Sequence, residues 1–101
     1  MAASIGHYIG NKPAAGKSGR TGDITNPATG EVTARVAFAS VEEVDEAVQV
    51  AKKAQIAWAA TPPLRRQRVM FNLKNLIEKR LDDLARHLSL EHGKTFDDAK
   101  G

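Results

Sequence analysis

The 101-residue chain contains no cysteine. Disulfides, thiolate metal ligands and a cysteine nucleophile are therefore excluded within it, and any thiol chemistry must come from outside. Aromatic residues are scarce at 5%, so a core would be built from the Ala, Val and Leu of its 42% hydrophobic content. A domain of this length buries roughly 60–65% of its extended-chain surface, which makes such a core thin. No apolar run approaches the roughly 20 residues that span a bilayer, and the opening MAASIGHYIG has neither the basic region nor the apolar stretch of a secretory leader. A soluble, cytoplasmic protein with no membrane partner is expected.

Charge is present but unevenly spread. The net charge of +3 combines a basic stretch holding Lys12, Lys17 and Arg20 with an acidic one holding Glu42, Glu43, Asp45 and Glu46, followed by Arg65, Arg66 and Arg68. Acids stand where helices should begin, as the helix dipole favours, and this weakens any inference from the basic pI to nucleic acid. Within GNKPAAGKSGRTG, Gly10 to Gly22, the triplet GKS resembles the end of a phosphate-binding loop. Five residues separate Gly10 from Gly16 where that loop has four, Pro13 removes an N–H donor, and the glycines after Ser18 forbid the helix that must follow. The stretch is expected to be an exposed, flexible basic loop.

Periodicity predicts an α+β segment: a β-hairpin, three helices and the start of a fourth. Ile5 to Ile9 reads as one short strand, and Asp23–Asn26 and Val32–Phe38 as two more flanking the turn NPATG, with Val32, Ala34 and Val36 on one side. From Ser40 the period lengthens. Ser40 and Glu43 form a capping box, and Val44, Ala47, Val48, Ala51, Ala54 and Trp58 fall on one stripe. Thr61-Pro62-Pro63 ends that helix and opens the next, whose buried side should carry Val69, Met70, Leu73, Leu76 and Ile77. A third helix from about Leu81 uses Leu84, Ala85 and Leu88 and stops at Gly93. Thr95 with Asp98 repeats the cap pattern, but a cap and about one turn do not hold a helix in water. The division expected is residues 1–39 as strands, loop and hairpin, and residues 40–101 as a helical part that looks cut off.

Chemistry is harder to find. His87 and His92, in HLSLEH, are five apart, so on a helix they point roughly 140° from each other and cannot share a metal. Arg65, Arg66 and Arg68 with Lys74, Lys79 and Arg80 could contact phosphates, but no aromatic residues interleave them. The adjacent acids Asp82 and Asp83, like Asp97 and Asp98, diverge on a helix and read as first-turn charges. No residue is assigned as catalytic, cofactor-binding or metal-ligating. A small basic nucleic-acid-binding or protein-interaction module is the alternative that the residues leave open.

The strings NPATGEVTARV, EVDEAV with Ala51 and Ala54, Trp58, RRQRVMF and EHGKTFDDAKG together resemble the N-terminal segment of NAD-dependent aldehyde dehydrogenases. HYIG, RVMF and EHGKTFDDAKG are most similar to the CoA-acylating, methylmalonate-semialdehyde branch. The resemblance implies a longer α/β parent, a homo-oligomer in which a cysteine thiolate attacks a semialdehyde, hydride passes to NAD and the acyl group to coenzyme A. It also implies that the nucleophile, cofactor site and substrate-binding arginines lie beyond Gly101, so neither NAD nor coenzyme A is expected to bind this segment, and the segment alone is expected to be inactive.

Overall fold

The computed structural model describes residues 2–101. They form two compact units, one comprising the chain up to Thr25 together with Val32–Ala60, the other Asn26–Glu31 together with Thr61–Gly101. The first holds every strand and the first helix.

In that first unit, β1 (Ala3–Ile5) lies parallel to β5 (Val32–Ala37), and β4 (Thr21–Thr25) lies antiparallel on β5's other side. Asp23 stands opposite Arg35, and the two side chains bond at 3.1 Å. The expected β4–β5 hairpin is present, with one irregularity. Ile24 pairs with Ala34 and Thr25 with Val32, leaving Thr33 as a bulge whose hydroxyl donates to the Ile24 carbonyl. A bulge breaks strict alternation. Accordingly Ala34 is buried and Val36 half-buried, whereas Val32 is exposed and does not continue their face.

The segment expected as one strand is two, because the chain changes sheets at Gly6. Ile5 pairs with Val36, while β2 (His7–Ile9) turns back on β3 (Lys12–Ala14) in a hairpin of its own. Gly10 (φ 62°) and Asn11 (φ 64°) are both left-handed, the geometry that a two-residue turn needs to match strand twist. The Tyr8 hydroxyl donates to the Asn11 carbonyl at 3.1 Å and fastens the turn. Pro13 fits β3 because it stands opposite Tyr8, one step from the closing Ile9–Lys12 pair, where antiparallel alternation demands no ladder N–H. The first part of the presumed flexible loop is thus a strand.

Helix α1 (Val41–Ala60) completes this unit, opened by Ser40 as expected: the Ser40 Oγ accepts from the Glu43 N–H and Glu43 reaches back to the Ser40 N–H.

The second unit contains the NPATG turn, in which the Asn26 side chain accepts from the Ala28 N–H at 2.9 Å and the Gly30 N–H donates to the Asn26 carbonyl. Helix α2 (Pro63–Lys79) begins on a proline, whose missing donor costs nothing at that position. Arg80 (φ −113°, ψ 20°) alone separates it from α3 (Leu81–His92), which ends at left-handed Gly93. A Cβ on Gly93 would lie 2.9 Å from the Pro27 ring, so sterics as well as φ require glycine there. Helix α4 (Phe96–Lys100) is a single turn, with Thr95 Oγ1 accepting from the Asp98 N–H.

The core is as thin as composition implies. Among the described residues, Ala34 and Ala85 are the buried apolar ones. The stripe of α2 expected to be buried is instead about half exposed at Val69, Met70, Leu73, Leu76 and Ile77, and α2 holds no buried residue.

Candidate functional site

Glu43 is the buried charged residue among those described, and it gathers three parts of the first unit. Oε2 accepts from the Ser40 N–H at 2.9 Å, closing the cap of α1. Oε1 accepts from the Lys17 N–H at 2.8 Å, so the GKS triplet is bound to this helix start across 26 positions of sequence. His7 Nε2, from β2, approaches the same oxygen to 3.7 Å, beyond hydrogen-bond range, and is itself enclosed without a hydrogen-bond partner.

The residues around Lys17 are equally tied. Ser18 donates its hydroxyl to the Phe38 carbonyl and accepts from the Arg20 N–H, while the Arg20 guanidinium donates to the Ala39 carbonyl at 3.0 Å. A Cβ on Gly16 would fall 2.5 Å from the Ala37 Cβ, so this residue packs directly on β5. The stretch expected to be flexible is therefore fastened to the Phe38–Ser40 link before α1. Its Lys17 amide, which a phosphate-binding loop would aim at a ligand, is aimed at an internal carboxylate. Sequence reasoning found Glu43 only as a cap, because its second bond lies too far along the chain for any local pattern to show.

The environment keeps Glu43 ionised. The Ser40 N–H is the main cause of a carboxyl held below its usual range, helped by the Lys17 N–H and the charges of His7 and Lys17, and opposed by burial. Both oxygens serve backbone donors, so the group organises structure and is not a free base. Beside it, Tyr8, Ile9, Val44, Ala47 and Val48 line an open apolar hollow of about 480 Å³.

A second cluster fixes α4. Lys100 Nζ lies 2.9 Å from Asp82 Oδ1 and 4.5 Å from the Phe96 ring centre, and Arg86 covers the same ring at 5.8 Å. Lys94 pairs with Asp98 at 3.0 Å. The Lys100–Asp82 and Arg86–Phe96 ties to α3 supply what a one-turn helix lacks in water, and account for its presence. Lys100 also holds the Asp82 carboxyl below its usual range, through a hydrogen bond and its charge.

The remaining sequence candidates are not brought together. His87 and His92 both lie on α3, His92 in its last turn, and among the described residues no group of three or more acids and histidines is placed to hold a metal ion. Several basic side chains are engaged by acids, as in Lys74–Glu78 at 2.6 Å and Arg86–Asp83 at 3.1 Å. No helix is long and apolar enough to cross a membrane among the described residues.

Comparison with known proteins decides the kinship. The profile of the aldehyde dehydrogenase family matches residues 14–101. The chain belongs to the aldehyde dehydrogenase family. It is 43% identical over 98 residues to malonate-semialdehyde dehydrogenase 2 of Geobacillus kaustophilus, covering 97% of this chain and 20% of that protein. It is 44% identical over 94 residues to the human mitochondrial acylating methylmalonate-semialdehyde/malonate-semialdehyde dehydrogenase, covering 93% and 18%. In structure it matches the NAD complex of a protein described as a methylmalonate-semialdehyde dehydrogenase from Sinorhizobium meliloti, with a TM-score of 0.96 and 51% identity, over 100% of this chain and 21% of that one. The corresponding enzyme of Oceanimonas doudoroffii gives 0.93 and 40%, covering 100% and 20%. This aldehyde dehydrogenase segment thus has the family's fold, strands followed by four helices, and spans about a fifth of the relatives it matches.

Proposed function

We propose that the chain is the N-terminal segment of a CoA-acylating dehydrogenase that oxidises malonate or methylmalonate semialdehyde with NAD and coenzyme A to an acyl-CoA. The observation that carries this is the near-complete coverage of the chain, at 43–44% identity, by relatives bearing those two substrate names. EHGKTFDDAKG and NPATGE, the strings that resemble the branch, both lie in the matched span.

In such an enzyme, residues 1–39 supply strands and hairpins and residues 40–101 the helical part of the cofactor-binding domain. The half-exposed apolar faces of α1 and α2 then meet the cofactor domain's sheet, contributed by the remaining four-fifths of the polypeptide. NAD accepts the hydride, and a thiol from beyond this cysteine-free segment attacks the aldehyde carbon and hands the acyl group to coenzyme A. The 101 residues carry no nucleophile of that kind and are inactive alone. A cytoplasmic homo-oligomer, without nucleic acid or membrane partners, is the proposed setting.

Reading the nucleotide sequence downstream of the Gly101 codon tests this directly. An uninterrupted frame encoding a cysteine-bearing catalytic domain is the expected result. A stop codon with no such continuation would overturn it.

A further inference from the structure

Residues 15–20 cross from the β2–β3 hairpin to β4; the Phe38 N–H holds their far end by donating to the Arg20 carbonyl at 2.9 Å, and three further kinds of tie hold the segment down. Gly16 packs on Ala37, Ser18 and Arg20 bond the carbonyls of Phe38 and Ala39, and the Lys17 N–H bonds Glu43. The first two are packing and exposed hydrogen bonds to neutral carbonyls. The third ends on a buried carboxylate that also closes the cap of α1.

We infer that residues 15–20 are a strap fastened across the start of α1 by the Glu43 carboxylate, and that loss of that one negative charge releases the strap at Lys17 while its Ser18–Arg20 end and the β4–β5 ladder stay in place. The ladder shares no hydrogen bond with Glu43, whereas the strap and the cap share both its oxygens. A glutamine has the same shape but one acceptor oxygen. Its NH₂ would face either the Lys17 or the Ser40 N–H, donor against donor, and a buried N–H would go unpaired. Protonation acts in the same direction: it removes the charge and turns one oxygen into a hydroxyl, a weaker acceptor for its backbone N–H.

The titratable groups facing the carboxylate are His7 from β2 and Lys17 from the strap; Glu42 and Glu46 flank it on α1, with Glu46 3.9 Å from Lys17 Nζ. The link Phe38–Ser40 contributes none. Because the folded-state carboxyl lies below its usual range, the strap is closed above that range and opens as pH falls through the lowered value.

Amide hydrogen exchange and NMR on the 101-residue chain test the inference. In Glu43→Gln, the Lys17 amide should lose at least about tenfold protection, since hydrogen bonds to charged groups are the stronger class, while the β5 amides that face β4 keep theirs. In the unsubstituted chain, acid titration should move the Lys17 and Ser40 amide resonances together with the Glu43 carboxyl, before the ladder melts. Unchanged Lys17 protection in Glu43→Gln would overturn the strap. Should that variant unfold outright, the acid titration decides: strap and ladder amides changing at one common midpoint would contradict it equally.

Discussion

Lys100 and Asp82 show how one ion pair at the edge of a fold can be read in solution. Both are substantially exposed, so the pair adds little to stability by itself. Its mark is on titration. With the ammonium 2.9 Å away, Asp82 ionises below its usual range, and the folded state is favoured above the ordinary aspartate value and loses that advantage as pH falls through the lowered one. Substituting Lys100→Ala should return the Asp82 midpoint upward to the normal range, measured by NMR of the side-chain carboxyl. An unmoved midpoint would show that Lys100 does not hold this position. At the same scale, the capping partnership of Ser40 and Glu43 was legible because both ends lie within four residues, whereas the His7 and Lys17 approaches were not, since they depend on a hairpin folding back.

Among the elements, the helix ends announced by local chemistry were legible, whereas one hairpin with a local turn signal was not. Pro63, Gly93 and the Ser40 box each place a helix end by removing or satisfying backbone groups, so the boundaries of α1, α2 and α3 were legible. The β2–β3 hairpin was missed although Gly10-Asn11 is a recognised two-residue turn signal, because the glycines and Lys residues around it read as a loop. Asn11 tests that lesson. Its φ of 64° suits Asn or Gly and costs a β-branched residue about 1–2 kcal/mol. Asn11→Val should therefore lower the melting temperature by several degrees, while Asn11→Gly leaves it nearly unchanged. Equal effects would mean that the turn does not constrain the fold. Helix α4 makes the complementary point: its cap was legible, but its persistence depends on Phe96 meeting Arg86 and Lys100 meeting Asp82 of α3.

For the molecule as a whole, what is exposed says more than what is buried. Phe71, Leu76, Met70 and Leu73 on α2 are each half or more exposed, and among the described residues the buried apolar ones are two alanines. Faces of that kind are made to be covered. Sequence periodicity revealed the faces, since Val69, Met70, Leu73, Leu76 and Ile77 recur at helical spacing, but a periodic pattern does not name what covers them. The cover we propose is the rest of a CoA-acylating semialdehyde dehydrogenase of which these residues are the front. The most direct measurement is NADH formation, followed at 340 nm, by the polypeptide extended along its own reading frame, supplied with malonate or methylmalonate semialdehyde and NAD, with and without coenzyme A. Turnover that requires coenzyme A and yields an acyl-CoA thioester is expected, with none from the 101 residues alone. Steady turnover to a free acid without coenzyme A, or no oxidation of either semialdehyde by a folded extended protein, would contradict it.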